Sequence, residues 1–183
     1  MLLRKSLRRW EIAGFLLVCA AGWLLQTLYR RAGGNALIAA FSAVNGSVWE
    51  CMKLLYVPYF VFTMVEYAVF AEAFRNFFAA KAAAGAIGVL LLPLLRYSIA
   101  GMFGAPPAWV NAAIFCLCAA TAQLAAYLLL TSFSLRGAVP QAAGFLLLWA
   151  LVFAFVLFTY RTPQLPLFRD PVTFAYGRQP PPV

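Results

Sequence analysis

Apolar residues fill this chain in five long stretches, near residues 10–30, 54–71, 79–100, 109–131 and 138–160. Each is about the ~20 residues that an α-helix needs to cross a hydrocarbon layer of ~30 Å. Turn-forming residues separate them: Arg30-Arg-Ala-Gly-Gly-Asn closes the first run, Gly101-Met-Phe-Gly-Ala-Pro-Pro the third, and Ser134-Leu-Arg-Gly precedes the fifth. The pattern predicts an all-α, polytopic transmembrane helical bundle of about five spans over residues 1–160, followed by a non-helical, proline-rich tail over 161–183. No internal repeat is evident, so an inverted-repeat transporter design has no support.

Residues 36–53 break the pattern. They begin apolar and then carry Asn45, Gly46, Ser47, Glu50 and Lys53 in quick succession. Two placements stay open: an interfacial or re-entrant helix, or an amino-terminal extension of the second span capped by Asn45 or Ser47. In either case, irregular backbone at that depth has to be covered by protein or line a wet cavity. After Tyr160, prolines rule out a helix, and the tail reads as lying on the membrane face, with Phe168, Phe174 and Tyr176 pressed into headgroups or packed across helix ends. Its last residues, 179–183, read as loose.

Composition sharpens the picture: 65 % of residues are hydrophobic and 10 % charged, far from the roughly one-quarter charged of a soluble domain. The net charge of +9 comes from fourteen cations gathered at the ends of the apolar runs, where they suit anionic lipid headgroups; nucleic acid is not an expected partner. The segment Met1-Leu-Leu-Arg-Lys-Ser-Leu-Arg-Arg has the look of a signal-peptide n-region, but the apolar run behind it is long and no cleavage site is clear, so it reads as a retained first helix. Arg4, Lys5, Arg8 and Arg9 before that helix favour a cytoplasmic amino terminus in the cell membrane. Summed over all loops, the cations divide evenly between the two sides.

The chain has no histidine, the commonest metal ligand and general base, and its four cysteines form no C-x-x-C pair. Cys116 and Cys118 point about 200° apart on a helix, so four free thiols are expected and neither a metal nor a cofactor is. Glu66 lies within an apolar stretch and must be neutral, paired, facing a cavity, or snorkelling near Glu72 and Arg75. Asn45 to Lys53 is the densest polar cluster. On a helix, Asn45, Trp49 and Lys53 share one face and Glu50 and Lys53 form an i, i+3 pair. Glu50 and Glu66 would stand about 24 Å apart on one helix, too far to share a proton or metal. The candidate polar pocket comprises Asn45, Ser47, Trp49, Glu50, Lys53, Glu66 and, from the tail, Arg169 and Asp170. Set against it is a plain solvated helix start with a cap, an interfacial Trp and a salt bridge.

Two segments carry a resemblance: Asn45-Gly-Ser-Val-Trp-Glu-Cys-Met-Lys-Leu-Leu, and Phe158-Thr-Tyr-Arg-Thr-Pro-Gln-Leu-Pro-Leu-Phe-Arg-Asp-Pro-Val-Thr-Phe-Ala-Tyr-Gly. The chain resembles a group of uncharacterised bacterial multi-pass membrane proteins whose members typically read Asn-Glu-Ser-Val-Trp-Glu-His-Leu-Lys and Pro-Pro-His-x-Pro-Leu-Phe-x-Asp-Pro-x-Thr-Gly-x-Tyr-Gly. The resemblance implies an architecture and no activity. Against it, Cys51 and Gln164 stand in place of His, Gly46 in place of Glu, and Gln26 in place of a further His. If those groups converge in typical members they would suit a metal or proton-transfer site, which this chain would largely have lost.

Three functions follow as expectations. The first is binding or transport of a small solute at the polar pocket. The second is a membrane enzyme on a lipid or lipid-linked substrate, with Glu50 as acid or base and Lys53 or Arg169 holding a phosphate. The third is an accessory subunit with a protein partner or a second copy of itself.

Overall fold

A computed structural model describes residues 2–70, 72–104, 106–132 and 135–178. Ser134 of the expected turn, Ala105 of the expected third-run breaker, Ala71 at the expected end of the second span and the expected loose residues 179–183 lie outside them. The described chain is helical: α1 Leu2–Arg31, a single turn α2 Ala36–Ala39, α3 Val48–Phe70, α4 Phe77–Phe103, α5 Ala108–Thr131 and α6 Ala138–Tyr160, then a 3-10 turn Pro166–Phe168. Five of these helices are long and apolar enough to cross a membrane. Their outward side chains are apolar, among them Leu90, Leu94, Leu146 and Phe153, as a lipid-facing surface requires. The protein is a membrane-spanning helical bundle.

The long helices alternate in direction. The near face holds the start of α1 and the α3–α4 and α5–α6 connections, and the far face holds α2, the α4–α5 connection and the tail. α3 is the most enclosed span, packed by α1, α4 and α6, while α4 lies along α5 and α6. Glycine allows the closest approaches: a Cβ on Gly144 of α6 would sit 2.6 Å from the Ala79 backbone of α4, and one on Gly88 of α4 2.7 Å from the Ala122 Cβ of α5. Side chains finish helix ends at the near face. Asn76 Nδ2 donates to the Leu129 carbonyl of α5 at 2.7 Å, and Gln141 Oε1 accepts from the Phe78 amide of α4 at 3.0 Å.

Residues 36–53 resolve into three pieces. Asn35 Oδ1 accepts from the Leu37 amide and starts α2. Residues 40–47 then run as irregular, mostly buried backbone in which Phe41 and Gly46 are exposed, and α3 begins at Val48, where Ser47 Oγ accepts from the Glu50 amide. The extension of the second span is therefore what forms, preceded by a re-entrant loop. The loop's polar groups are covered by protein. Ser42 Oγ inserts into the hydrogen-bond ladder of α1, accepting from the Tyr29 amide at 3.0 Å and donating to the Leu25 carbonyl. The Val44 amide donates to Glu50 Oε2 and the Gly46 amide to Asp170 Oδ2.

The tail returns across the far face. Phe168 is buried against Trp49 and Phe158, with ring centroids 4.7 and 5.7 Å away. A short antiparallel bridge joins Arg169 to Tyr176, and Asn45 Nδ2 donates to the Gly177 carbonyl at 3.0 Å. Phe174, by contrast, remains exposed.

Candidate functional site

The polar cluster singled out from the sequence is built mostly as a fastening. Lys53 is fully buried, and its Nζ donates to Glu50 Oε2 at 2.7 Å, the Ala39 carbonyl at 2.9 Å and Thr159 Oγ1 at 2.8 Å, which ties α2, α3 and α6 together. Glu50 accepts from the Val44 amide as well, and sits in the first turn of α3 where the helix dipole favours an anion. Trp49 stacks among Phe155, Phe158 and Phe168. Asp170 holds the Gly46 amide on Oδ2 at 2.7 Å and the Val172 and Thr173 amides on Oδ1 at 2.8 and 3.1 Å. Burial works to raise its pKa, but those three amides and nearby Arg30 outweigh it and hold the carboxyl below the usual aspartate range. Arg169 is turned outward over the Phe174 ring, 4.6 Å from its centroid. Glu66 stands apart from the others, near the opposite face, where it pairs with Lys81 rather than snorkelling to the interface. The structure thus joins Asn45, Ser47, Trp49, Glu50, Lys53 and Asp170 in one interlocked network, with Arg169 outside it and Glu66 in another place.

Open space lies beside that network. A cavity of about 490 Å³ opens between α1, α4 and α5 at the far face, with the re-entrant loop as one wall. Its polar lining is Gln26, Asn45, Arg96 and Asn111 together with the thiols of Cys19, Cys51 and Cys116; Leu54, Leu92, Ile114 and Phe115 form apolar walls. Trp23, Gln26, Ala108 and Ala112 are exposed at its mouth, so it opens sideways between α1 and α5. Ala108 begins α5 and Gln26 is five residues from the end of α1, which puts the mouth within about 8 Å of the helix ends.

Arg96 is the only charged side chain in the lining, is half-buried, and makes no ion pair among the described residues. Its one hydrogen-bond partner there is the Cys51 sulfur, 2.9 Å from Nη1. Opposite, the Asn111 Oδ1 is buried without a partner. Cys19 and Cys116 bring their sulfurs to 3.7 Å across α1 and α5, and all four cysteines are free. The guanidinium beside Cys51 sets a positive charge against that thiol, which opposes a cation there, and no three His, Cys, Asp or Glu side chains gather to hold a metal among the described residues.

The matching family covers residues 2–178, nearly the whole bundle and its tail. The chain belongs to DUF6512, a family of unknown function. No curated protein and no solved structure matches it.

Sequence reasoning passed over Arg96 and Asn111 as site residues and noted Gln26 and Cys51 only as departures from a resemblance. A signal was present. Arg96 falls within an expected span, four residues from its end, and a cation there that does not reach the interface needs a partner or a cavity.

Proposed function

We propose that this DUF6512 protein binds, and in its membrane setting carries or presents, a small solute or lipid bearing an acidic group, with Arg96 as the anchor. The observation that carries this reading is an arginine facing a roomy, mostly apolar cavity that has no carboxylate in its lining and none in ion-pair contact with the guanidinium among the described residues. A guanidinium offers a fork of donors matched to carboxylate or phosphate. Asn111, Gln26 and Asn45 add neutral polar contacts, and a cavity of this size falls in the range of small-molecule sites. The sideways mouth near the helix ends suits an amphiphile whose acid reaches Arg96 while its chain stays among lipid tails. Gln26, Gly46 and Cys51, three of the positions that depart from the resembled signature, all line this cavity, which supports it as the variable site. The cations divide evenly between the two faces, but the four at the start of α1, Arg4, Lys5, Arg8 and Arg9, favour a cytoplasmic near face, and on that ground we take the cavity as outward-opening.

The test is thermal stabilisation of the purified protein by dodecyl phosphate and palmitate, with dodecanol as the neutral match and inorganic phosphate as the free anion. Stabilisation by the acidic amphiphiles alone identifies a lipid-like ligand, and stabilisation by inorganic phosphate as well identifies a soluble one. Either response should disappear in Arg96→Gln. Equal binding of dodecanol, or an unchanged response in Arg96→Gln, refutes the reading.

A further inference from the structure

A second buried polar site lies near the opposite face, separate from the cavity. Lys81 of α4 is fully buried and its Nζ contacts Glu11 Oε1 of α1 at 2.8 Å and Glu66 Oε2 of α3. Glu66 is likewise fully buried and Glu11 nearly so. One ammonium thus serves two carboxylates, which leaves one negative charge over if all three are ionised.

Among the described residues, no other charge corrects the balance. Arg8 and Arg9 on α1 and Arg75 before α4 are exposed. From α3 the other titratable group is Tyr59, whose hydroxyl donates to the Lys81 carbonyl at 2.8 Å. α5 brings Gln123, with Tyr127 one turn on packed among the aromatic side chains near Phe70 and Phe77, and α6 brings no charge. The site also holds unpartnered polar atoms, Glu11 Oε2, Glu66 Oε1 and both side-chain atoms of Gln123, and the Thr63 hydroxyl lies beside that of Tyr59. Thr63 is one turn from Glu66 on the same face of α3, and Gln123 packs against Gly14, one turn from Glu11 on α1. Both are buried, at 0 % and 3 % exposure. These groups point to a missing positive charge with hydrogen-bonding capacity around it.

We propose that Glu11, Glu66 and Lys81 form a proton-binding site in which the two carboxyl groups share one exchangeable proton, with Thr63 and Gln123 as its hydrogen-bonding surround. The proton adds to a free carboxylate oxygen, Glu11 Oε2 or Glu66 Oε1, forming an O–H bond and breaking none in the protein. It comes from water at the near face, and the site then carries no net charge. Glu66 is four residues from the end of α3 and Lys81 four from the start of α4, about 6 Å inside that face, a short path for exchange. The inference stands apart from the Arg96 reading and shares no residue with it.

Infrared spectroscopy of the protein in liposomes tests this through the carbonyl stretch of a protonated carboxyl. Wild type at neutral pH should show that band, shifted in heavy water. Glu66→Gln and Glu11→Gln should each abolish it, because one carboxylate then balances one ammonium and the remaining acid ionises; Glu50→Gln should leave it intact. Absence of the band in wild type overturns the proposal without recourse to any variant. A band that survives in Glu11→Gln means a statically protonated Glu66 and overturns the sharing. Loss of the wild-type band on adding sodium chloride, but not choline chloride, means that the site takes sodium and overturns the assignment to a proton.

Discussion

Lys53→Met removes the cation from the far-face fastening while keeping its length and apolar stem. The Nζ holds three acceptors at 2.7 to 2.9 Å, and Glu50 beneath it is 3 % exposed, so the variant strands a buried carboxylate with only the Val44 amide. Breaking a buried pair by removing one partner costs about 3–5 kcal/mol, because the remaining charge has lost both water and partner. At about 2–4 °C per kcal/mol for a domain of this size, the melting temperature should fall by about 6–20 °C. Tryptophan fluorescence during heating in nanodiscs reads this directly, since Trp49 lies against the same helices. The double variant Glu50→Gln/Lys53→Met supplies the control: the Gln amide oxygen can still accept from Val44 and no charge is left unpaired, so it should melt above the single variant. A single variant within about 2 °C of wild type, or a double variant no more stable than the single, would sink the claim that a buried pair fastens α2, α3 and α6.

Asp170→Asn should loosen the tail by about 1–3 kcal/mol at neutral pH, by weakening charge-assisted bonds from three amides. Because its folded pKa is depressed, the charge contributes fully above the ordinary value of 3.8 and its contribution is lost as pH falls through the folded value, so the difference from wild type should shrink in acid. Limited proteolysis of the tail at the two pH extremes checks both parts. Gly144→Ala should destabilise by about 1–3 kcal/mol or more, since the new methyl meets the α4 backbone at 2.6 Å. Gly101→Ala, with open space around it in the same bundle, should be neutral or gain up to about 1 kcal/mol; thermal melts of the pair separate close packing from helix propensity.

Hydropathy located the spans where the chain's own punctuation is sharp. α6 runs over 138–160 as expected, because Gly137 and Arg161 bound a continuous apolar run. It missed where polar residues are buried. α3 starts at Val48 rather than 54 because Glu50 and Lys53 neutralise each other inside the protein, a pairing that a window average scores as two penalties. α1 extends back to Leu2 because an amphipathic helix continues beyond the apolar run. The density of Asn45 to Lys53 was visible, but its meaning depended on Thr159 and the Ala39 carbonyl, distant in sequence. Glu11 and Lys81 lie at the ends of expected spans, where a charge draws no notice. Only the tertiary fold sets both against Glu66.

A later-made part of the chain completes an earlier one. Residues 40–47 emerge from the ribosome before four of the five spans, yet the Gly46 amide and the Asn45 side chain find their partners on Asp170 and Gly177, made after α6. Until the tail is made, one wall of the cavity lacks its outer support. During biogenesis the partly made protein therefore presents that loop to the insertion machinery or to lipid headgroups, and a ribosome stalled just after α6 would hold a bundle of these five spans with an unfinished chamber.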